Sequence, residues 1–430
     1  MNRFSLVKTF LALIYFVVLF LIQGFLIREW TAGVLIQAII LNTAIILGIY
    51  AFRGFETRTA LSLNSSFIAT AVGGLSGGVV ALIPILFFIE RRIGRLAYIW
   101  TLILVVFAFP LITFVVMRIA VRRTPPQRFL VVGESESISH IMEDIVKKSL
   151  NKIEIVGYVS DERGISDVLN NGGAAFDALL VVDQELMRPV RHEAEKAHTK
   201  GVTIQFLPEL VEENLSRIPI EAIQRFSDYY SVLFSHSRYS QSLRVLDVLL
   251  ASLASIVLSP AIVFSIIYIL TRDGRPLFYS QTRHGLNGAE FSLYKFRSMT
   301  QKTSLSEEDP ELVITKSGRL LRTLRFNELP QFFNVIKGDM SIVGPRPDIR
   351  STYEFCTREL PYYHYRTKIM PGLTGHAQVQ FLHLDELDRD AFGERLSYDL
   401  YYVKNYTITL YLSTILKTLE TMVFGKGRAG

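Results

Sequence analysis

A single cysteine, Cys356, stands among 430 residues. No intrachain disulfide and no Cys-x-x-Cys metal site can form, which excludes a secreted, disulfide-stapled fold. Charge is nearly missing inside the long apolar segments of the first 120 residues, which leaves a transporter's substrate path through them hardly any charge. The Gly-x-Gly-x-x-Gly fingerprint is missing as well. Where it would fall, the chain reads Gly133-Glu134-Ser135-Glu136-Ser137, one glycine and two acids that would repel a pyrophosphate. Acidic residues are only slightly outnumbered, 40 against 46 Lys and Arg. That excess fits anionic lipid or phosphorylated substrates; nucleic acid is not an expected partner.

What the chain has is apolar length. Half of it is hydrophobic, and the surplus is clustered in four segments at 4–26, 31–52, 61–90 and 98–119. Each reaches the ~20 residues a spanning helix needs. The first resembles a signal peptide, but three more follow and no small-residue cleavage pattern is present. Residues 1–123 are therefore expected to be a four-helix transmembrane domain. The glycines of AVGGLSGG (71–78) either let helices pack closely or kink the third span. Placing both ends of the block inside gives that side Arg3, Lys8, Arg53, Arg58, Arg122, Arg123 and Arg128. The other side then receives Arg28, Arg91, Arg92 and Arg95, so the balance favours cytoplasmic ends, with the RRIGR cluster against it.

After the Thr-Pro-Pro breaker at 124–126, strand and helix patterns alternate through RFLVVGESES, IEIVGYVSD, FDALLVVD and VTIQFLPEL. This predicts a Rossmann-like α/β domain with a parallel sheet over 124–215, structural or regulatory in role and lacking the dinucleotide fingerprint. A linker is expected over 216–242, and a further domain over 243–430. That domain opens with a long apolar stretch, 244–270, interrupted by Ser259-Pro260. Proline lacks an N–H and breaks helices; the residues alone leave open a kinked fifth span or a re-entrant helix-break-helix.

Downstream, Lys295 and Arg297 alternate along a strand and are expected to share a face. The 316–350 region is dense in Arg319, Arg322, Arg325, Lys337, Asp339, Arg346 and Arg350 around one Asn327-Glu328 pair. Asn327 is expected to cap a helix with Pro330 in its first turn, and the Gly-Pro-Arg-Pro turn at 344–347 to aim Arg346 at a phosphate. Cations around an acid suit phosphoryl transfer. An anionic-membrane footprint accounts for them too, so enzyme and binding module both stand at this point.

The strings KFRSM (295–299), NELPQFFNVIKGDMSIVGPRP (327–347), PGLTGHAQV (371–379) and DLYYVKNYT (399–407) closely resemble the bacterial sugar transferase family over about 240–428. These are monotopic polyprenyl-phosphate phosphoglycosyl transferases, and the preceding helices and α/β domain resemble the large-form members. The resemblance implies an α/β catalytic domain held in one leaflet by a re-entrant helix broken at Ser259-Pro260. It implies sugar-1-phosphate transfer from a UDP-sugar, glucose or galactose by expectation, to undecaprenyl phosphate with release of UMP, initiating O-antigen, capsule or exopolysaccharide assembly. It further implies Mg2+, a homodimer, and a bacterial inner (cytoplasmic) membrane location with the catalytic domain on the cytoplasmic face.

By the same resemblance Arg322, Asn327 and Glu328 occupy the catalytic positions. Asn327 and Glu328 would ligate the metal, and Lys295, Arg297, Asp339, Arg346 and Gln378 would contact substrate. The family pattern has an aspartate nucleophile where this chain has Asn327, and an amide is a very poor nucleophile. Three accounts follow: an inactivated form of an active parent, a member in which Glu328 works alone, or a non-catalytic binding or scaffold relative. His376 replaces a frequent tryptophan in a motif expected near the substrate cleft. Cys356 is expected to be inert, and the C-terminal run YTITLYLSTILKTLETMVF to lie along the membrane interface.

Overall fold

The computed structural model describes residues 3–27, 29–60, 63–88, 94–134, 138–149, 152–160, 162–170, 176–301, 312–380 and 388–424. Arg28, the Arg91–Arg92 pair and the 425–430 tail lie outside the described residues. The chain divides into two compact units, Met1–Leu210 and Val211–Gly430.

The first unit begins with four helices long and apolar enough to cross a membrane, at Leu6–Leu26, Ala32–Ala51, Ser65–Leu82 and Arg95–Arg123. The first two are the helices α1 (Arg3–Leu26) and α2 (Ala32–Ala51). The third joins α3 (Leu63–Phe67) and α4 (Gly73–Phe88) through a π turn at Ile68–Val72, and the fourth joins α5 (Arg95–Ile103) and α6 (Phe109–Arg123) through another at Leu104–Ala108. The glycine run packs helices closely: a Cβ on Gly77 would lie 2.0 Å from the Ala44 carbonyl of α2. Polar side chains in the block satisfy one another. Gln23 and Asn42 exchange two amide bonds of 3.0 Å, and Tyr15 donates to the Phe109 carbonyl at 2.8 Å, as an apolar surrounding demands.

Four parallel strands follow in the order β2-β1-β3-β4: β1 (Gln127–Val132), β2 (Ile153–Val159), β3 (Ala178–Val181) and β4 (Thr203–Phe206). Helices α7 (Ser139–Lys148), α8 (Glu162–Asn170) and α9 (Arg191–Thr199) make the crossovers. The central strand β3 is buried throughout, which is why it reads as a continuous apolar run. Gly133, just past β1, has φ +144, and a Cβ there would meet Val182 Cγ2 at 2.3 Å. Packing against the end of β3 accounts for this glycine.

Helix α10 (Leu207–Leu215) precedes the second unit's own elements. The span 216–242, read from sequence as a linker, carries α11 (Ile220–Arg225) and α12 (Ser227–His236). Tyr230 and Phe234 of α12 are buried, and the Phe234 ring lies 4.8 Å from that of Tyr365. The apolar stretch forms α13 (Gln241–Val257) and α14 (Ser259–Arg272), separated at Leu258. Ser259 and Pro260 open α14, where a missing N–H costs nothing, and Ser259 Oγ donates to the Ile256 carbonyl at 2.8 Å.

The chain then makes an antiparallel hairpin, β5 (Phe278–His284) with β6 (Glu290–Phe296), and a second short one, β7 (Met299–Gln301) with β8 (Leu312–Ile314). Next come α15 (Lys316–Thr323), a 3-10 turn Phe326–Glu328, α16 (Gln331–Lys337), β9 (Ser341–Val343) and α17 (Arg350–Glu359). Strand β10 (Gly372–Thr374) pairs parallel with β9, followed by α18 (His376–Gln380), α19 (Arg389–Lys404) and α20 (Ile408–Phe424). Ile269 of α14, Phe296, Leu321 and Leu329 form one buried cluster. Asp247 of α13 is buried and accepts from Ser341 Oγ, Ile342 N, Tyr239 and Tyr411, tying the apolar hairpin to β9 and α20.

Candidate active site

Hairpin β5–β6 and the segments after α15 bring the chemistry together. Lys295 sits on β6 opposite Tyr279. Burial pushes its ammonium below the usual lysine value; Glu328 opposes this, while Arg346, Arg283 and Arg322 add to it. Lys295 therefore shares its surroundings with three arginines and one carboxylate drawn from other segments. Lys295 makes no hydrogen bond or ion pair through its side chain among the described residues, nor do Arg346, Asn327 or Glu328. Among the described residues the Arg322 side chain has only the Met299 sulfur, at 3.3 Å. Polar groups left unspent in one place are what a ligand site requires.

The 3-10 turn that carries Asn327 and Glu328 follows Arg325, which sits in the left-handed region at φ 57. Helix α16 starts only at Gln331, with Pro330 at its N-cap position. The expected cap by Asn327 is therefore corrected: the backbone is already turning tightly at Phe326–Glu328, so position 327 lies inside a turn, one turn before the helix.

The turn that presents Arg346 is fixed by its own carbonyls. Arg366 Nη2 and Arg395 Nη2 both donate to the Arg346 carbonyl, at 2.8 and 3.0 Å. Arg283 Nη1 donates to the Pro347 carbonyl at 3.1 Å, and the His284 N–H to that of Asp348 at 3.1 Å. Beneath lies a buried ion cluster. Asp348 accepts from Tyr363 at 2.5 Å and from Arg395 at 2.9 Å, and also pairs with Arg366; Arg366 reaches Asp399 at 2.9 Å. Burial alone would push the Asp348 carboxyl up. The Arg366 and Arg395 guanidiniums and the Tyr363 hydroxyl outweigh it and hold the group well below the usual carboxylate range.

Other sequence-derived residues are placed differently. Strand β6 ends at Phe296, so Arg297 leaves the strand face and spends its guanidinium on the carbonyls of Asp273, Gly274 and Arg275, 2.7 to 3.0 Å away. Asp339 holds Asn334 at 3.0 Å and Lys337 at 2.9 Å. Asn334 in turn bonds the backbone of Tyr294 and Ser292, which fastens α16 to β6. Gln378 is half-buried on α18 and its Oε1 has no hydrogen-bond partner among the described residues. His376 is buried, bonds the Ser216 carbonyl at 2.9 Å and packs beside Tyr398 and Tyr401. Burial pushes the Cys356 thiol up to about 11, keeping it protonated and unreactive.

A cavity of about 570 Å3 opens beside the acid, walled by Ile262 and Ile266 of α14, Phe296, and Leu329, Pro330 and Phe333 just past Glu328. Its lining is almost wholly apolar. Sequence reasoning missed Arg283, Arg366, Arg395, Asp348 and Asp399. Charged positions inside otherwise apolar stretches such as YDLYY (398–402) were the available signal for Asp399.

Residues 238–425 match the family described as bacterial sugar transferase. A UDP-N-acetylgalactosamine-undecaprenyl-phosphate N-acetylgalactosaminephosphotransferase from Aeromonas hydrophila is 26% identical, over 93% of this chain and 88% of its own length. A UDP-glucose:undecaprenyl-phosphate glucose-1-phosphate transferase from Caulobacter vibrioides is 32% identical over 42% of this chain and 69% of its own. An undecaprenyl-phosphate galactose phosphotransferase from Salmonella typhimurium is 31% identical over 54% and 51%.

Proposed function

The chain belongs to the bacterial sugar transferase family, and from that premise we propose that its site serves transfer of a sugar-1-phosphate from a UDP-hexose, glucose or galactose by expectation, to undecaprenyl phosphate. The gathering of Arg283, Arg322, Arg346 and Glu328 around Lys295 carries the reading. Four cations against one carboxylate leave an excess of three positive charges, suited to a diphosphate and to charge that spreads during phosphoryl transfer. The apolar cavity past Leu329 offers the isoprenoid part of the acceptor a place beside the same cations.

The broken helix is read as re-entrant. Its 17 and 14 residues plus Leu258 would extend about 48 Å as one straight rod. Yet both ends return to the same domain: Arg244 donates to the Val335 and Ile336 carbonyls, and Asp273 accepts from Ser317. The outward faces, Val245, Leu249, Leu253 and Ile256 on α13 with Val263 and Ile267 on α14, are exposed and apolar, as a lipid-facing hairpin requires. This supports a bacterial membrane protein working at the cytoplasmic face of the inner membrane. The Rossmann-like middle domain is read as structural or regulatory, and the protein as the homodimer that the resemblance implies.

In the route the family resemblance implies, a carboxylate oxygen at position 327 forms a bond to the β-phosphorus as the bond to UMP breaks. The acceptor's phosphate oxygen then displaces the carboxylate. Asn327 lacks the charge and lone-pair reactivity for the first step, so this chain is proposed to bind both substrates with the covalent step silenced. Among the described residues no three His, Cys, Asp or Glu side chains cluster into a metal cage. Glu328 and Asn327, neighbours in one turn, fit by donor chemistry the sparser pattern in which Mg2+ shares one or two protein ligands with substrate phosphates and water. Bound there, the ion would neutralise charge on the diphosphate.

The test is UMP release from a panel of UDP-sugars with undecaprenyl phosphate and Mg2+, for the chain as it stands and for Asn327→Asp. Silence in the first and turnover in the second is the expected result. Equal turnover by both would move the chemistry to Glu328, and silence from both would leave a binding protein.

A further inference from the structure

We propose that Arg283 is a positioning residue of the phosphate site, holding the turn that presents Arg346 while adding its own charge beside Lys295. The inference rests on the reading of this site as one for a UDP-sugar. The side chain is half-buried on β5 and its guanidinium is used as a fork. Nη1 donates to the Pro347 carbonyl at 3.1 Å and Nη2 to Gln281 Oε1 at 2.7 Å. Nε is buried without a partner, and among the described residues the group forms no ion pair.

A desolvated cation with no carboxylate bound to it is costly. Burial and the neighbouring Arg346 both work against its charge, with Asp348 opposing them. Nothing in the packing requires that expense, since a neutral side chain of similar length would fill the same space. The geometry explains it as service to the turn. The Arg346 carbonyl is already taken by Arg366 and Arg395 and the Asp348 carbonyl by His284, so Pro347 is the one remaining carbonyl of that stretch, and Arg283 fixes it. With three successive carbonyls held, the Arg346 guanidinium is left on a rigid base facing Lys295. Lysine cannot substitute, because one ammonium does not reproduce the planar two-point hold.

UDP affinity, measured by calorimetry on the detergent-purified full chain, tests this. Arg283→Gln is expected to weaken UDP binding about tenfold, the scale of a lost charge-assisted hydrogen bond, and Arg283→Lys to weaken it nearly as much. Gln281→Leu, which loosens the fork while keeping the cation, is expected to cost about threefold, and keeps the test open if Arg283 variants fail to fold. A second readout follows from Lys295, which faces Glu328, Arg322, Arg346 and Arg283. Removing Arg283 lets the Lys295 ammonium persist to higher pH, so the alkaline loss of UDP affinity in Arg283→Gln should set in at higher pH than in the unmodified chain. Full recovery by Arg283→Lys, or unchanged affinity in all three variants, overturns the inference alone. Absence of UDP binding by the unmodified chain overturns the proposed function and this inference with it.

Discussion

Replacing Asp348 by asparagine should be the most damaging single isosteric change in the second unit. The carboxylate is 6% exposed and shares its cluster with Arg366, Arg395 and Asp399 at 4%, 10% and 2%. Two cations and two anions balance. The Asp348→Asn variant would leave one positive charge uncompensated and turn an amide N–H2 toward two guanidinium donors. Breaking a buried pair from one side costs about 3–5 kcal/mol, a large share of the roughly 5–15 kcal/mol that holds a domain together. The same change frees Arg366 and Arg395 from the anion that aims them at the Arg346 carbonyl, so UDP affinity should fall as well. Denaturant unfolding of the detergent-solubilised protein reads the first effect and calorimetry the second. The acid limb supplies a sign. A carboxyl held below its unfolded value of 3.8 contributes stability that is present above that pH and is lost as pH falls toward the folded value. The gap between the native chain and Asp348→Asn should therefore narrow below about pH 4. A cost under about 1 kcal/mol at pH 7, or a gap indifferent to acid, would refute the charge-balance reasoning. Adding Arg395→Met restores neutrality, and the double variant should lose less than the two singles together.

Arg244→Met removes two donors from the Val335 and Ile336 carbonyls, 2.5 and 2.8 Å away; a loss of about 1–3 kcal/mol is expected in thermal unfolding. Gly77→Val would set a Cβ 2.0 Å from the Ala44 carbonyl, forcing α2 and α4 apart, and should show as loss of a stable first unit by protease resistance in detergent. Glu328→Gln removes the anion that acts on Lys295, so UDP should bind more tightly without metal while Mg2+ no longer improves its affinity. An unchanged Mg2+ response would take Glu328 out of the metal's reach.

The membrane block was legible because spanning length and apolarity are local properties of sequence. Its π turns were not, since helix winding at Ile68–Val72 and Leu104–Ala108 answers to packing between spans. Lys295, Arg322, Glu328 and Arg346 stood out because they crowd motif-dense stretches, and the structure brings those four together. Arg297 was paired with Lys295 by strand alternation, and that argument failed where β6 stopped one residue early. Asn327 was read as a cap from residue preference alone, without knowing that Arg325 turns left-handed and starts a 3-10 turn. The Asp348, Arg366, Arg395, Asp399 cluster draws on the turn after β9, the 363–368 segment and α19; no window of sequence contains it. Arg283 lies in a strand whose alternation looks like a solvated edge, and only the folded turn shows what it holds.

The structural context of Asn327 bears on why an amide is there at all. An asparagine can be kept for its donor N–H2, for a cap, or for a left-handed backbone. None of these operates: its side chain makes no hydrogen bond among the described residues, the cap is absent, and the left-handed residue is Arg325. Aspartate has the same shape, and position 327 adjoins Glu328, the carboxylate that acts on Lys295. The fold therefore places no demand on the amide, and Asn327→Asp should fold with unchanged stability. What the amide changes is charge, by one unit, at the position where the resemblance implies the family's nucleophile. A strongly destabilised Asn327→Asp would contradict this, because it would mean the surrounding backbone had been shaped around the amide.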